Sequence, residues 1–214
     1  MSLYHNRYRV ESTRLKGWDY TADGWYFVTI CTQGRECFFG QVEDRRMRLS
    51  RVGDIALRFW EDIPNHSANA GLDASVIMPN HLHGIVTIKA PVGSTTTHQN
   101  REPGAHNRRR DVACNVSTPI GNVSTIVPPE RGSLGAILRS FKSAVTRWCR
   151  MNGYTSFAWQ PRFYDHIIRD EAALQNIRRY ILDNPAKWEL DRNNPEKRAS
   201  RTPGRWSLHP DHRG

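Results

Sequence analysis

The sequence predicts an α+β fold of the ferredoxin-like (RRM-like) kind, in which helices pack on one face of an antiparallel sheet. Four segments are rich in β-branched and aromatic residues, which favours strands. Three longer segments carry apolar residues at helical spacing. These segments follow one another as strand, helix, strand, strand, helix, strand, helix. That order is typical of a sheet covered by helices.

The first predicted strand spans Trp25–Thr32. A second run, 37–42, can pair either with this strand or with residues 46–49. Ser50 is a suitable N-cap, and apolar residues follow it at helical spacing as far as Pro64. This spacing predicts the first helix, which the proline is expected to end.

Three more strands and two more helices complete the predicted domain. The strands lie at 72–78, 81–89 and 163–168. Ser133 and Asp170 are suitable N-caps for the two helices, whose apolar residues recur at helical spacing. The last helix is expected to stop just before a proline, because the residue that precedes proline disfavours the α conformation.

Composition divides the chain into four parts. The predicted domain comprises residues 21–89 and 133–188, and residues 1–20 form an N-terminal extension. Residues 90–132 are rich in Thr, Asn, Gly, Pro and Arg. Connections of that length without secondary structure are uncommon in compact domains, so this part is predicted to be a flexible insertion. Residues 189–214 are polar and basic, which predicts a loosely held tail.

The chain carries a large excess of positive charge. Its 214 residues include 31 Lys and Arg against 21 Asp and Glu, a formal net charge of +10. The corresponding pI is near 9.9. A soluble protein with this excess is expected to bind a polyanion, and nucleic acid is the commonest one.

Hydropathy and cysteine usage both favour a cytoplasmic protein without a membrane partner. No segment approaches the roughly 20 consecutive apolar residues that a membrane span needs. The first residues, Met1–Arg14, contain no apolar signal core. The four cysteines form no CxxC pair, which disfavours a structural zinc site and predicts free thiols.

Two pairs of residues are candidates for chemistry. In a strand, His81 and His83 project from the same face while Leu82 turns into the core. Neighbouring imidazoles can bind a divalent metal, although most surface His-x-His pairs are incidental. Tyr180 and Asn184 lie four residues apart and therefore share one face of the last helix. Taken alone, this tyrosine is typical of a boundary residue that anchors a helix.

Three segments, taken together and in this order, resemble the IS200-like single-tyrosine transposases. They are 76–86, 159–169 and 180–185, and the branch that they resemble most is the REP-associated tyrosine transposases. The resemblance covers roughly residues 20–89 and 133–188. It implies a ferredoxin-like HUH enzyme, named after two histidines that flank a hydrophobic residue, which nicks and joins single-stranded DNA.

The resemblance also implies site residues. Members of the family hold Mg²⁺ or Mn²⁺ with the two histidines and a polar side chain one helical turn after the tyrosine. Carried over, these are His81, His83 and Asn184, with Tyr180 as the nucleophile. Many relatives have glutamine as the third ligand, and asparagine is one carbon shorter. The tyrosine would form a covalent 5′-phosphotyrosine and free a 3′-hydroxyl, so rejoining needs no ATP.

The implied partner is hairpin-forming single-stranded DNA, bound by a monomer or a homodimer. Binding a single strand requires cations along the phosphate track, although a solvated helix face is the alternative explanation for such charges. The candidate DNA contacts are Arg139, Lys142, Arg147, Arg150, Arg162, His166, Arg169, Arg178 and Arg179.

The sequence also allows other hypotheses. Tyr164, beside Asp165 and His166, is a rival nucleophile, but no ligand follows it by one helical turn. A metal-dependent nuclease that hydrolyses DNA without a covalent bond is a second enzyme hypothesis. A third is a domesticated nucleic-acid-binding protein with an RRM-like sheet, although the central strands lack an aromatic RNP-type segment.

Overall fold

The computed structural model describes residues 3–4, 7–8, 15, 17–89 and 129–199. Most of the predicted N-terminal extension, insertion and basic tail lie outside these residues. The elements are the strands β1 (Leu3–Tyr4), β2 (Arg7–Tyr8), β3 (Gly24–Cys31), β4 (Gly40–Glu43), β5 (Arg46–Leu49), β6 (Ala70–Met78), β7 (His81–Ile88) and β8 (Tyr164–Ile168), and the helices α1 (Arg51–Glu61), α2 (Ile63–His66), α3 (Leu134–Met151), α4 (Glu171–Asp183) and α5 (Pro195–Ala199).

Four of the strands form one antiparallel sheet in the order β6–β7–β3–β8. With α1 between β3 and β6, and α3 between β7 and β8, the succession is βαββαβ, the ferredoxin-like arrangement. The predicted α+β class and antiparallel sheet are therefore confirmed. The short strands β4 and β5 pair with each other, so the run at 37–42 pairs with residues 46–49 and not with β3.

The three long helices begin at their predicted N-caps. The side chains of Ser50, Ser133 and Asp170 each accept a hydrogen bond from a backbone N–H of the first turn, at 3.1, 3.3 and 2.8 Å. These bonds satisfy N–H groups that have no partner within the helix. α4 ends at Asp183, because Pro185 has no N–H with which to continue it.

Helices lie on both faces of the sheet. α1 and α3 cover the face that carries Tyr26, Val28 and Leu82, where the larger apolar core forms. α4 packs against Phe27 and Ile85 on the opposite face. The predicted packing on one face thus holds for α1 and α3 only. Since these two crossover helices already fill their face, the helix that follows the last strand packs on the other one.

The described residues also bear on the thiols and on membrane spans. Cys31, Cys37 and Cys149 are free thiols, as predicted. Burial raises the pKa of Cys149 to about 11, so this thiol is unreactive. Within the described ranges, no helix combines the length and the apolarity that crossing a membrane requires.

Candidate active site

β7 places His81 and His83 side by side on the face of the sheet that α4 covers. Both side chains are buried, and their Nε2 atoms lie 3.0 Å apart. Leu82, between them, points into the core on the opposite face, as the alternation of a strand predicts. At this distance the two nitrogens must share a proton or a cation, because two facing lone pairs repel each other.

Asn80 fixes the orientation of His81. Its Nδ2 donates to the backbone oxygens of Arg35 and Asn193, at 2.9 and 2.8 Å. Its Oδ1 is left to accept from Nδ1 of His81, at 2.9 Å. Nδ1 therefore carries the proton and Nε2 presents its lone pair. Histidines that bind metals are commonly oriented in this way by a second hydrogen bond.

Both imidazoles are held in the neutral form. Burial lowers the pKa of His81 well below its ordinary value, with a further contribution from the neighbouring His83. Burial also lowers the pKa of His83 to about 3, and the positive charge of Arg192 acts in the same direction. Nδ1 of His83 lies 2.8 Å from Oγ1 of Thr29, which fixes the second ring. Neutral imidazole is the form that binds metal ions.

Asp191 completes a group of three potential metal ligands. One of its carboxylate oxygens lies 3.8 Å from Nε2 of His81. The ligand atoms of His81, His83 and Asp191 all lie within 4.8 Å of one another. The other carboxylate oxygen accepts from the backbone N–H of Asn193 at 2.6 Å, in a turn that holds the side chain in place.

The segment that carries Asp191 is packed against the site, although the sequence predicts a loosely held tail from residue 189. Asn193 and Asn194 are only 3% and 4% exposed. Asn80 bonds to this segment across 113 positions of the chain. The amino-acid composition of the segment does not predict this packing, because hydrogen bonds rather than apolar side chains hold the segment in place. Its one signal in the sequence is a run of Asp and Asn, which favour turns and offer oxygen ligands.

Tyr180 reaches the histidines from α4. Its hydroxyl lies 3.3 Å from Nε2 of His83, and its ring packs edge-on against Phe27, with centroids 6.0 Å apart. The side chain is 45% exposed, in agreement with the boundary position that the helical spacing predicts. Burial raises the pKa of Tyr180, and the negative charge of Asp191 acts in the same direction, whereas a hydrogen bond from Asn184 and the charge of Arg192 act to lower it.

Asn184 lies one helical turn after Tyr180, at the end of α4. It is 4% exposed, and its Oδ1 has no hydrogen-bond partner among the described residues. A buried carbonyl oxygen without a partner is unfavourable, and a cation would supply one. Together with the group formed by His81, His83 and Asp191, this oxygen offers the nitrogen and oxygen donors that suit a divalent metal.

A cleft of about 490 Å³ opens over Tyr180 and His83. Tyr164, Lys187 and Arg192 border it. The open side of the cleft therefore carries Arg192, the aromatic ring of Tyr164 and Lys187, which also donates to Asp183 at 3.2 Å. Arg192 is exposed and was not singled out from the sequence.

Four of the predicted DNA contacts border one groove along α3: Arg139, Lys142, Arg147 and Arg150. Since α3 lies on the opposite face of the sheet from Tyr180, the structure does not bring this group to the candidate site. The ammonium group of Lys142 donates to the backbone oxygen of Gln160 at 2.5 Å. Burial lowers the pKa of Lys142 to about 8. The three arginines of the group are exposed.

Arg178 is paired with an acid, although the sequence predicts it as a DNA contact. Its Nε and one terminal nitrogen each donate to a different carboxylate oxygen of Asp73, both at 2.7 Å. Its guanidinium carbon lies 5.7 Å from the centroid of the Trp25 ring. Asp73 sits at a register shift of β6, where a bulge can redirect a side chain. The pair thus anchors α4 two residues from Tyr180.

The remaining predicted contacts, Arg162, His166, Arg169 and Arg179, are exposed. His166 and Arg169 border a second cleft, on the far side of Tyr164 from the histidines. Tyr164 itself is 42% exposed and borders both clefts. The structure therefore brings Tyr180, the two histidines and Asn184 together, and places His166 and Arg169 in a neighbouring cleft beyond Tyr164.

Comparisons with known proteins give one relative at the level of sequence. No family model matches the chain. A protein of Haemophilus influenzae, described as uncharacterized, is 37% identical over 191 residues, which is 88% of this chain and 93% of that protein. Identity at this level, over nearly the whole of both chains, indicates common descent.

Two solved structures show a weaker likeness. One is a REP-associated tyrosine transposase bound to a REP hairpin, with a TM-score of 0.45 and 20% identity over 87% of this chain and 74% of that one. The other is a transposase candidate from Deinococcus radiodurans, with a TM-score of 0.38 and 14% identity over 79% of this chain and 95% of that one. Likeness at this level establishes no function for this chain.

Proposed function

This chain belongs to the same family as the Haemophilus influenzae protein, and we propose that it is a metal-dependent enzyme that cuts and rejoins single-stranded DNA through Tyr180. The observation that supports this most directly is the 3.3 Å between the hydroxyl of Tyr180 and Nε2 of His83. A phosphate bound beside the two histidines would lie within reach of that hydroxyl, which is the geometry that nucleophilic attack requires.

The proposed substrate is hairpin-forming DNA, as in the transposases that the sequence resembles. The net charge of +10 favours a polyanionic partner. The cleft over Tyr180 is open and is bordered by Lys187 and Arg192. An open, cationic cleft suits an extended single strand better than a small enclosed substrate. The proposed outcome is DNA transposition or the processing of REP-type hairpins.

We propose that His81, His83 and Asp191 hold Mg²⁺ or Mn²⁺, with Oδ1 of Asn184 as a further donor. Asp191 is the stronger oxygen ligand of the two, because its carboxylate carries a charge that the amide of Asn184 lacks. When bound, the ion would neutralise charge on the non-bridging oxygens of the scissile phosphate. The neutral histidines fit this ion, and so does the oxygen of Asn184, which has no hydrogen-bond partner among the described residues.

Tyr180 carries the covalent step. Its oxygen forms a bond to phosphorus while the bond from phosphorus to the 3′ oxygen breaks. The phenol loses its proton, and the departing 3′ oxygen gains one as a hydroxyl. Rejoining is the reverse step, in which a 3′-hydroxyl attacks the 5′-phosphotyrosine. Burial and the negative charge of Asp191 raise the pKa of Tyr180, whereas the hydrogen bond from Asn184 and the positive charge of Arg192 assist by favouring the phenolate.

The remaining contacts orient the nucleophile. The edge of the Phe27 ring meets Tyr180 on one side. The bidentate pair between Arg178 and Asp73 ties α4 to β6 and so fixes the register of the helix relative to the histidines. Both contacts act through the position of Tyr180, and neither touches the reacting phosphate.

A covalent-adduct assay tests the proposal. The full chain is incubated with Mn²⁺ and labelled single-stranded DNA hairpins, and the products are separated under denaturing conditions. We expect a labelled protein–DNA adduct that forms only with metal and falls by at least about 10³-fold in Tyr180→Phe. Tyr164→Phe is the matched control, because Tyr164 borders the same cleft and removing its hydroxyl while keeping the ring should leave the adduct intact.

Three results would contradict the proposal. Cleavage that persists in Tyr180→Phe without any adduct would indicate a hydrolytic nuclease. Hairpin binding without cleavage at any Mn²⁺ concentration would indicate a binding protein. An adduct that Tyr164→Phe abolishes and Tyr180→Phe preserves would identify Tyr164 as the nucleophile.

A further inference from the structure

Tyr164 separates the candidate active site from a second cleft. On the sheet, both Tyr164 and His83 pair with Thr29, one on each side of β3, so the three residues form a row across the strands. The ring of Tyr164 meets Phe27 edge-on, with centroids 6.4 Å apart. This contact holds the ring beside the nucleophile while leaving 42% of the residue exposed.

The second cleft, of about 470 Å³, runs along β8, which is an edge strand of the sheet. His166 and Arg169 border it and are exposed. Two carboxyl groups also line this cleft: Asp165 accepts from the hydroxyl of Tyr20 at 2.7 Å, and Asp170 caps α4. The exposed guanidinium of Arg169 adds a cation to the border.

We infer that a nucleotide next to the scissile phosphate crosses Tyr164, stacks its base on that ring and places its phosphate beside Arg169 and His166. The inference rests on the proposed function and adds to it a subsite and a path for the strand. An exposed aromatic ring with a cation on its outer side suits single-stranded nucleic acid, because bases stack on π-faces and phosphates follow cations. The edge-on contact with Phe27 limits the entropy that the ring loses on stacking.

The path connects two clefts whose linings, among the described residues, have only Tyr164 in common. A strand that leaves the histidines on this side of the cleft meets Tyr164 first, and then His166 and Arg169. The tyrosine thus serves as a platform for a base and not as a nucleophile.

Binding of DNA with one base removed tests the subsite. The probes are copies of one hairpin with a single-stranded flank, each carrying one abasic site at a successive position. Binding is measured by fluorescence anisotropy in the Tyr180→Phe background, where no covalent adduct forms. We expect one position at which base removal weakens binding by about tenfold. Tyr164→Leu should lose that sensitivity, and Tyr164→Phe should keep it.

A second variant tests the phosphate contact. Arg169→Gln should weaken binding of every probe and lower the dependence of log K on log salt by about one unit, because one phosphate contact is lost. Thermal unfolding of each variant verifies that it is folded.

The two proposals fail separately. If the adduct forms with Tyr180 but Tyr164→Leu binds intact and abasic probes as the parent does, the subsite is overturned and the proposed function stands. If wild-type protein forms no adduct and binds no hairpin, both are overturned.

Discussion

The two faces of the four-stranded sheet have different contents. On one face, α1 and α3 close a large apolar core in which Trp60 and Phe141 meet edge-on, with centroids 5.4 Å apart. On the other face, α4 covers a smaller apolar cluster that includes Phe27 and Ile181. Beside that cluster lie buried histidines, an asparagine and the half-exposed Tyr180.

The difference shows how one sheet separates stability from chemistry. Alternate residues of the same strand serve opposite faces, so β7 sends Leu82 into the large core and its neighbours His81 and His83 into the site. Gly84, on the same strand, lies against Trp60 of α1. A Cβ there would lie 2.3 Å from a ring carbon of Trp60, so glycine is needed for the close approach of α1.

Removing the main aromatic side chain of the large core should give the largest effect on stability. Trp60 is 1% exposed, so Trp60→Ala should lower the free energy of unfolding by about 3–5 kcal/mol, as cavities in close-packed cores do. Urea unfolding measures it. Met151→Ala, at a residue 75% exposed, is the control and should change stability by less than about 0.5 kcal/mol. A loss below about 1 kcal/mol for Trp60→Ala would show that the face covered by α1 and α3 does not hold the main stabilising core.

A bound metal ion should stabilise the protein through the face of the sheet that α4 covers. At a free Mn²⁺ concentration about 100 times its Kd, the free energy of unfolding should rise by about 2.7 kcal/mol, because the ion binds only the folded state. His83→Ala should remove this rise, while Trp60→Ala should retain it at temperatures where the variant is folded. The measurement is thermal unfolding with and without Mn²⁺. An unchanged rise in His83→Ala would exclude this residue as a ligand.

The two candidate oxygen ligands differ in expected strength. Asp191→Ala should weaken the apparent Mn²⁺ affinity by about 10- to 100-fold, whereas Asn184→Ala should weaken it less, because an amide is the poorer donor. Mn²⁺ titration monitored by electron paramagnetic resonance gives both values. A larger loss of affinity in Asn184→Ala than in Asp191→Ala would instead support Asn184 as the third ligand, as the sequence resemblance implies.

The smallest effect concerns the pair that ties α4 to the sheet. The hydrogen bonds from Arg178 hold the pKa of Asp73 below its ordinary value. A carboxyl group whose pKa is lower in the folded than in the unfolded chain contributes stability above about pH 4, and this stability is lost as the pH falls through the folded pKa. Asp73→Asn should therefore be less stable than the parent at pH 7, with the difference shrinking below about pH 4. The measurement is the free energy of unfolding of both proteins as a function of pH. Two curves that stayed parallel through the acidic range would contradict this prediction.

Local patterns in the sequence predicted much of the fold and part of the site. Ser50, Ser133 and Asp170 are the caps that were expected, because capping depends on residues within one turn. The separation of His83 from Leu82 follows from strand alternation alone. The sequence did not predict that α4 packs on the second face of the sheet. An apolar stripe indicates that one side of a helix is buried, but it does not identify the surface that covers it.

Long-range partners depend on tertiary structure. Arg178 belongs by sequence among the cations available to DNA, yet the register shift of β6 supplies Asp73 as its partner. Asp191 lies in a segment whose composition predicts a loose tail, yet the hydrogen bond from Asn80 holds that segment over the histidines. In both cases the deciding contact joins residues more than 100 positions apart, and no local window contains both.

The sequence by itself determined the antiparallel α+β plan, the facing histidines and the helical pairing of Tyr180 with Asn184, because each depends on the period of a strand or a helix. Only the tertiary structure decided that Tyr180 meets His83 across 97 positions and that Asp191 joins the two histidines. The physical reason is that metal ligation and nucleophilic attack depend on distances between side chains. Those distances are fixed by how elements pack and not by the pattern within any one of them.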